Sequence, residues 1–391
     1  MEYVQERIPT LHDFTDTVPD APTDRASIVI PMTGHAHTSH ATDRILRTLE
    51  DVAPDRVVIA LRADAPAVAS IHDWLTDYDV PTETIWCNGP RVNELLTEAG
   101  FGDTGGKGRD VWLALGVASD TKYTVVHDAD AETYSRSHVN RLLFPLERGH
   151  SFVKGYYARI ERNQLYGRLF RLFYAPLIRA LSQLSGAPIV SYLGAFRYAL
   201  AGEMAMTTQL ARRLRVPPGW GLEVGALGTA FEHAGFEGTA QIDLGVHKHD
   251  HRSVSGPHGL GDMSIDVGAS LFSVLEANGV SPDYESLRER YRKTANRLID
   301  QYATDAAFNG LDYDSNAERD QIEAYLPAVK SPTADTRLPA WTDTAIDPDS
   351  IRTASRADIG DAVDAESGGS QPNRDSDGDI TTDRVDLDAD R

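Results

Sequence analysis

Asp128 and Asp130 stand one residue apart, directly after Tyr123-Thr124-Val125-Val126-His127. The preceding run is short and rich in β-branched residues, as a buried strand is. In open α/β sheets, ligands bind beyond the carboxyl ends of the strands. Two carboxylates at such an end suit a hard divalent cation, and Mg²⁺ is usually held by one or two carboxylates together with substrate phosphates. A cation there would offset charge growing on a departing diphosphate. Upstream lies Gly105-Gly106-Lys107-Gly108. It lacks the remaining glycine and the Ser/Thr of a P-loop. Its glycines predict a mobile loop over 102–108 that brings Lys107 to a nucleotide or phosphate.

Three further groups have side chains suited to chemistry. His247, His249 and His251 alternate, so an extended backbone would put them on one face, and one of them near Asp130 would complete a cation site. Glu223 follows Pro217-Pro218-Gly219-Trp220-Gly221-Leu222 and opens a helix. It fits either an acid favoured by the helix dipole or a hydrogen-bond acceptor or base at a sugar. Arg168, after Gly167, fits either a helix surface or a bidentate clamp on an anionic acceptor. His35, His37 and His40 have no acidic motif beside them and read as solvated loop residues.

These residues need a scaffold, and the sequence predicts one. Strands are expected at 26–31, 56–61, 83–87, 123–127, 150–157 and 238–246. Helices are expected at 41–52, 66–78, 109–119, 137–147, 165–184, 203–214, 222–234, 264–275 and 284–302. Alternation of strands and helices implies βαβ units and a mainly parallel, Rossmann-like sheet flanked by helices. Leu287, Tyr291, Leu298 and Tyr302 share one helical stripe, suited to core or to a dimer contact. The expected division is an N-terminal arm over 1–25, a main α/β domain over 26–265, a helical region over 266–330 and a disordered acidic tail over 331–391. That last stretch holds fifteen acids against six arginines and few large apolar residues. Its Asp375-Ser376-Asp377-Gly378-Asp379 resembles part of a calcium loop but lacks the spaced glutamate.

Composition narrows the partners. The 391-residue chain carries 59 acids against 38 lysines and arginines, a net charge of −21. That argues against nucleic acid and anionic membranes, and fits a halophile's solvated surface. Cys87 is the single cysteine, which excludes an internal disulfide and a thiolate metal cluster. There is no basic-then-apolar leader and no run long enough to span a membrane, so a cytoplasmic protein is expected.

Together, the ordered motifs resemble those of the glucosyl-3-phosphoglycerate synthases, which are retaining GT-A glycosyltransferases. The matching blocks are Gly-Lys-Gly at 106–108, Asp128-Ala129-Asp130, Phe152-Val153-Lys154-x-x-Tyr157, Gly167-Arg168, Gly219-Trp220-Gly221-Leu222-Glu223-Val224-Gly225 and Leu244-Gly245-Val246-x-x-His249. The resemblance spans about residues 26–265. It implies transfer of glucose from a nucleotide-diphosphate sugar to 3-phosphoglycerate with retention, assisted by Mg²⁺ or Mn²⁺. By position it implies Pro31, Met32 and Thr33 along the nucleoside and Lys107 on the nucleotide. Asp128 and Ala129 would lie at ribose and diphosphate, with Asp130 and His249 on the metal. Glu223 would meet the transferred sugar, and Gly167, Arg168 and His251 the acceptor. A homodimer is expected. The chain departs from the pattern at Gly34-His35-Ala36, at Arg62 (with Asp64 as the possible substitute), at Leu193-Gly194-Ala195 and at Phe170. Those departures keep open a different acceptor, a glycan or lipid phosphate, and a non-catalytic nucleotide-sugar-binding role.

Overall fold

The structure is a computed structural model that describes residues 5–102, 105–248 and 259–368. The elements run β1 (Thr10–Leu11), β2 (Ala26–Thr33), α1 (His40–Val52), β3 (Arg56–Arg62), α2 (Ala65–Leu75), β4 (Thr82–Trp86), α3 (Pro90–Glu98), α4 (Lys107–Val117) and β5 (Tyr123–Val126). Then come α5 (Arg136–Glu147), β6 (Phe152–Ala158), a small hairpin of β7 (Ile160–Glu161) and β8 (Gln164–Leu165), and a π-helical segment, Leu169–Tyr174. Next are α6 (Ala175–Leu184), α7 (Pro188–Leu193), β9 (Met204–Thr207), α8 (Thr208–Ala211), α9 (Leu222–His233) and β10 (Thr239–Val246). The chain finishes with α10 (Leu260–Ala277), α11 (Tyr284–Asn309), α12 (Ser315–Tyr325) and α13 (Pro348–Gly368).

Eight strands form one sheet in the order β1-β10-β6-β9-β5-β2-β3-β4. Pairings are parallel except at β9, which runs antiparallel to both β5 and β6. The expected mainly parallel α/β sheet is therefore present. Successive residues of β2 go to opposite faces, as pleating requires. Ile28 and Ile30 join the layer with α1, α2 and α5, while Val29 joins the layer with α4, α6, α9 and α10. The chain leaves β2 toward β3 and β4, then returns to β5 on the other side of β2. The crevice at such a reversal is where ligands of open α/β sheets bind.

Pro31 fits this scheme although β2 is an interior strand. The Gly34 N–H donates to Arg62 O and the His127 N–H to Val29 O. That alternation aims position 31 at the β5 side, where β5 has already ended, so the missing N–H breaks no ladder bond.

Several expectations change. Residues 203–214 form not one helix but β9 followed by the single turn of α8. Glu203, Met204, Ala205 and Met206 favour a helix locally, but the slot between β5 and β6 supplies ladder bonds that override propensity. Over 165–184 the helix is π-wound before α6 begins, and Leu165 belongs to the β7–β8 hairpin. Residues 188–193, for which no element was expected, form α7. The N-terminal arm is tied down, since β1 pairs with β10 and Ile8 is fully buried. The stretch from 331 to 366 is ordered: Leu338, Ala340, Trp341, Ile351, Ala354 and Ile359 are buried, and α13 packs on α2, α3, α4 and β4. Asp375 to Asp379 lie outside the described residues. The 287/291/298/302 stripe faces inward, with Leu287 and Tyr291 fully buried and Tyr302 against the Arg171 guanidinium.

Candidate active site

Lys107, Asp128 and Glu223 come from three separate elements and meet at the carboxyl end of β5. Lys107 is the first residue of α4, Asp128 lies two residues past β5, and Glu223 is in the first turn of α9. The Lys107 Nζ is 2.7 Å from Asp128 Oδ1 and 3.3 Å from Glu223 Oε1. All three side chains are largely buried, with 20, 22 and 12 % exposure. Burial works to lower the proton affinity of Lys107, but the Asp128 and Glu223 carboxylates outweigh it and hold the ammonium above its ordinary range. Lys107 is therefore a fixed cation at neutral pH.

The glycines flanking Lys107 do more than loosen a loop. A Cβ on Gly106 would stand 2.3 Å from Pro218 O, and one on Gly108 would stand 1.9 Å from Pro217 O. The Gly108 and Arg109 N–H groups donate to Gly219 O and Pro218 O at 3.3 and 2.9 Å. The start of α4 thus docks backbone-to-backbone on the Pro217-Pro218-Gly219 turn. The turn is itself rigid: Gly221 has φ 101° in the left-handed region, and Trp220 N–H donates to Asp266. This contact presents Lys107 to Glu223, and only glycine permits it.

The Asp-Ala-Asp segment is held from below and from both sides. His127 is buried, with its Nε2 3.0 Å from the Tyr134 hydroxyl. The Thr42 hydroxyl donates to Ala129 O at 3.0 Å. A Cβ on Gly202 would come within 2.4 Å of Asp128 Oδ2, so the Asp128 carboxylate rests directly on that backbone. Asp130 is half-buried at the rim. Pro31, Met32 and Thr33 end β2, the strand beside β5. Asp64 is exposed at the N-cap position of α2. Arg62 turns instead to Asp110 on α4, forming an ion pair with it.

His249 and His251 lie outside the described residues. The chain up to them is placed, however. Lys248 O accepts from Glu132 N–H at 2.8 Å, and Lys248 N–H donates to Thr133 Oγ1 at 3.3 Å. The exit of β10 therefore crosses the loop just after Asp130. Of the three alternating histidines, His247 faces the core: fully buried, it stacks on Tyr157 with ring centroids 4.1 Å apart. Among the described residues no three His, Cys, Asp or Glu side chains converge as a metal cluster. Asp128 and Asp130 supply two hard oxygen donors, the chemistry Mg²⁺ or Mn²⁺ takes.

Gly167 and Arg168 sit at the entry to the π-helical segment. Gly167 has φ 74°, and a Cβ there would be 3.2 Å from the Tyr198 hydroxyl. Tyr198 packs on Tyr157 at 5.0 Å, which links this end to His247. Arg168 is exposed. Phe170 is locked among rings, 4.8 Å from Tyr198 and 5.7 Å from Tyr174.

Two buried charges escaped assignment from sequence. Lys154 on β6 is 1 % exposed, donates to Ala201 O, and is pushed by burial down to about 8. Glu203 is also 1 % exposed, 3.8 Å from His247 Nε2, and neither of its oxygens has a hydrogen-bond partner among the described residues. Leu193 and Gly194 close α7 and Ala195 follows it, whereas Gly202, just before Glu203, carries the Asp128 carboxylate. Lys154 already stood in the Phe-Val-Lys-x-x-Tyr block. A lysine inside an otherwise apolar strand was the available signal.

No family model matches the chain. A glucosyl-3-phosphoglycerate synthase of Methanococcoides burtonii is 34 % identical over 376 residues, covering 88 % of this chain and 93 % of the relative. One from Persephonella marina is 36 % identical over 309 residues, 74 % of this chain and 76 % of the relative. Among solved structures, glucosyl-3-phosphoglycerate synthase from Mycobacterium tuberculosis in complex with Mn²⁺, UDP-glucose and phosphoglyceric acid matches with TM-score 0.51 and 24 % identity, covering 71 % of this chain and 89 % of that one. Its complex with Mg²⁺ and UDP gives TM-score 0.51 and 24 % identity over 71 % and 88 %. At that identity the structural likeness establishes the fold, and the M. burtonii relative establishes the family. The chain belongs to the glucosyl-3-phosphoglycerate synthase family.

Proposed function

We propose that this protein moves glucose from a nucleotide-diphosphate sugar to 3-phosphoglycerate, with retention of configuration and with Mg²⁺ or Mn²⁺ bound. The observation that carries the reading is the Lys107–Asp128–Glu223 constellation at the crevice of the sheet, in a chain of this family. Pro31, Met32 and Thr33 would flank the nucleoside, with Asp64 at its outer edge. Asp128 and Ala129 would meet ribose and diphosphate. Asp130 and His249 would hold the metal, which when bound neutralises charge on the diphosphate. Lys107 supplies a second, permanent positive charge to the same phosphates. Glu223, fixed by Lys107, accepts hydrogen bonds from the transferred sugar. Gly167, Arg168 and His251 would take the acceptor, whose hydroxyl attacks on the leaving-group face.

Phe170 favours one variation. A ring packed against Tyr174 and Tyr198 offers no hydroxyl to an acceptor phosphate. A related small anionic acceptor, or the phosphoglycerate in a shifted pose, is consistent with a ring at this position. The reading includes a cytoplasmic, salt-adapted homodimer making a compatible solute. The acid excess supports the salt adaptation, and among the described residues no helix is long and apolar enough to cross a membrane.

A donor-by-acceptor screen in high salt with Mg²⁺ or Mn²⁺ tests the proposal. It pairs UDP- and GDP-sugars with 3-phosphoglycerate, glycerate or no acceptor, with products read by mass. Phosphorylated glucosyl-glycerate is expected, and Asp130→Ala should abolish it. Donor hydrolysis without transfer would discard the acceptor, and full activity in Asp130→Ala would discard the metal assignment.

A further inference from the structure

The stretch before α13 joins the two supports of the Lys107–Glu223 contact from behind. Leu338 N–H donates to Val216 O at 2.9 Å, Thr342 N–H to Arg212 O at 3.2 Å, and Arg215 pairs with Asp335 at 3.1 Å. Residues 212–216 run straight into the Pro217-Pro218-Gly219 turn and on to Glu223. Across the strap lies α4. Trp112 Nε1–H donates to Pro339 O at 2.9 Å, and Trp341 Nε1–H donates to Trp112 O at 2.7 Å. The two indoles stack at 4.3 Å and 19°. Trp341 also lies flat on Gly116, where a Cβ would come within 2.3 Å of its ring.

We propose that residues 334–343 are a positioning strap for the donor site, with Trp341 as its anchor. None of its residues is among those that meet at Asp128. It acts by fixing how closely α4 approaches the 217–219 turn. That approach is close enough to require glycine at 106 and 108, and it sets Lys107 against Glu223. α4 also packs on β2, β3 and α13, and the bonds at Trp112 and the contact at Gly116 add a direct tie between that helix and the segment that leads into the 217–219 turn. A small misplacement of a binding group costs far more than the distant contact that caused it would suggest. The inference rests on the assignment of Lys107 to the donor phosphates.

The experiment uses the full chain with Trp341→Ala, Trp341→Phe and the milder Leu338→Ala. Donor KM, acceptor KM and kcat are measured, and UDP affinity in Mn²⁺ is measured by calorimetry. Trp341→Ala is expected to weaken UDP binding and raise the donor KM about tenfold, leaving kcat and acceptor KM within about twofold. Leu338→Ala should shift the same way to a smaller extent, and Trp341→Phe should restore most of the affinity. In a Lys107→Met background, Trp341→Ala should cost no further UDP affinity, because its effect passes through Lys107. A lowered melting temperature with unchanged UDP affinity and donor KM would overturn the proposal, as would a full additional loss in the Lys107→Met background. Failure of the transferase reading shows separately, as wild-type protein that binds UDP but consumes no sugar donor.

Discussion

Replacing Lys107 with methionine tests the core of the site, because most of the unbranched apolar stem is kept while the ammonium and its contacts are lost. In the free protein that charge stands 2.7 Å from Asp128 and 3.3 Å from Glu223. At an effective dielectric near 20, the two attractions are worth about 5–6 kcal/mol each before desolvation is counted. Removing one partner of a buried pair usually costs about 3–5 kcal/mol, since the carboxylates left behind are uncompensated. Both carboxylates here are partly wetted, so about 2–3 kcal/mol is expected. Unfolding entropy near 2.1 cal/mol/K per residue turns that into a melting temperature lower by about 2–4 °C for a chain of this size. Saturating Mn²⁺ should recover part of the loss, since a cation at Asp128 and Asp130 restores the missing positive charge. It should not restore catalysis: a lost charge-assisted contact to the diphosphate is worth about 1.5–3 kcal/mol, or roughly ten- to a hundredfold in kcat/KM. Scanning calorimetry with and without Mn²⁺ gives the first pair of numbers, and initial rates against donor concentration give the second. A variant that melts at or above the wild-type temperature and keeps kcat/KM within about threefold would show that the Lys107 pairing is incidental.

Gly108→Ala puts a methyl group where Pro217 O already stands, at 1.9 Å. Backbone must move, so a loss of about 2–3 kcal/mol in urea unfolding is expected together with a sharp fall in donor affinity; a neutral result would mean that α4 does not dock as described. Asp110 is buried, and its carboxyl is pushed up to about 6 although Arg62 and Arg109 pull the other way. Between the ordinary value and 6 the folded protein keeps a proton that the unfolded chain releases, so this group costs stability as pH rises from about 4 to 6, and the cost is complete above that. Asp110→Asn should therefore gain on the wild type by about 2–3 kcal/mol on going from pH 4 to pH 7, read from urea midpoints at the two pH values; a difference independent of pH would refute this.

The parallel half of the sheet was legible because its strands are short and β-branched, with Arg62 closing β3 and Asp128 following β5, although β2 runs on past Pro31 to Thr33. Those signals are local. The misreadings came where a distant partner decides. Met204 to Thr207 became a strand because β5 and β6 leave a slot between them, and no helix-forming tendency in the residues reveals a slot. Residues 331–366 were hidden by their acids, yet Ile351, Ser355, Asp358 and Ile359 recur at helical spacing. Two of the polar ones are used inward: the Ser355 hydroxyl takes the Trp86 N–H, and the Asp358 carboxylate takes the N–H groups of Arg91 and Val92 at the start of α3. Charge count predicts disorder only when the charges have no partner, and here Asp358 caps a helix while the Ser355 hydroxyl beside it closes an edge strand. The glycines around Lys107 carry the same lesson into the site. From sequence they signal freedom, because glycine is the most permissive residue in the unfolded chain. In the fold they are used for what they lack, a Cβ, and the result is rigidity. A lysine on a mobile loop would have to be ordered by each incoming nucleotide. A lysine whose helix is pressed on the 217–219 turn at one end and strapped by Trp341 further along is ordered before the nucleotide arrives, so the ordering cost is met in folding rather than in binding.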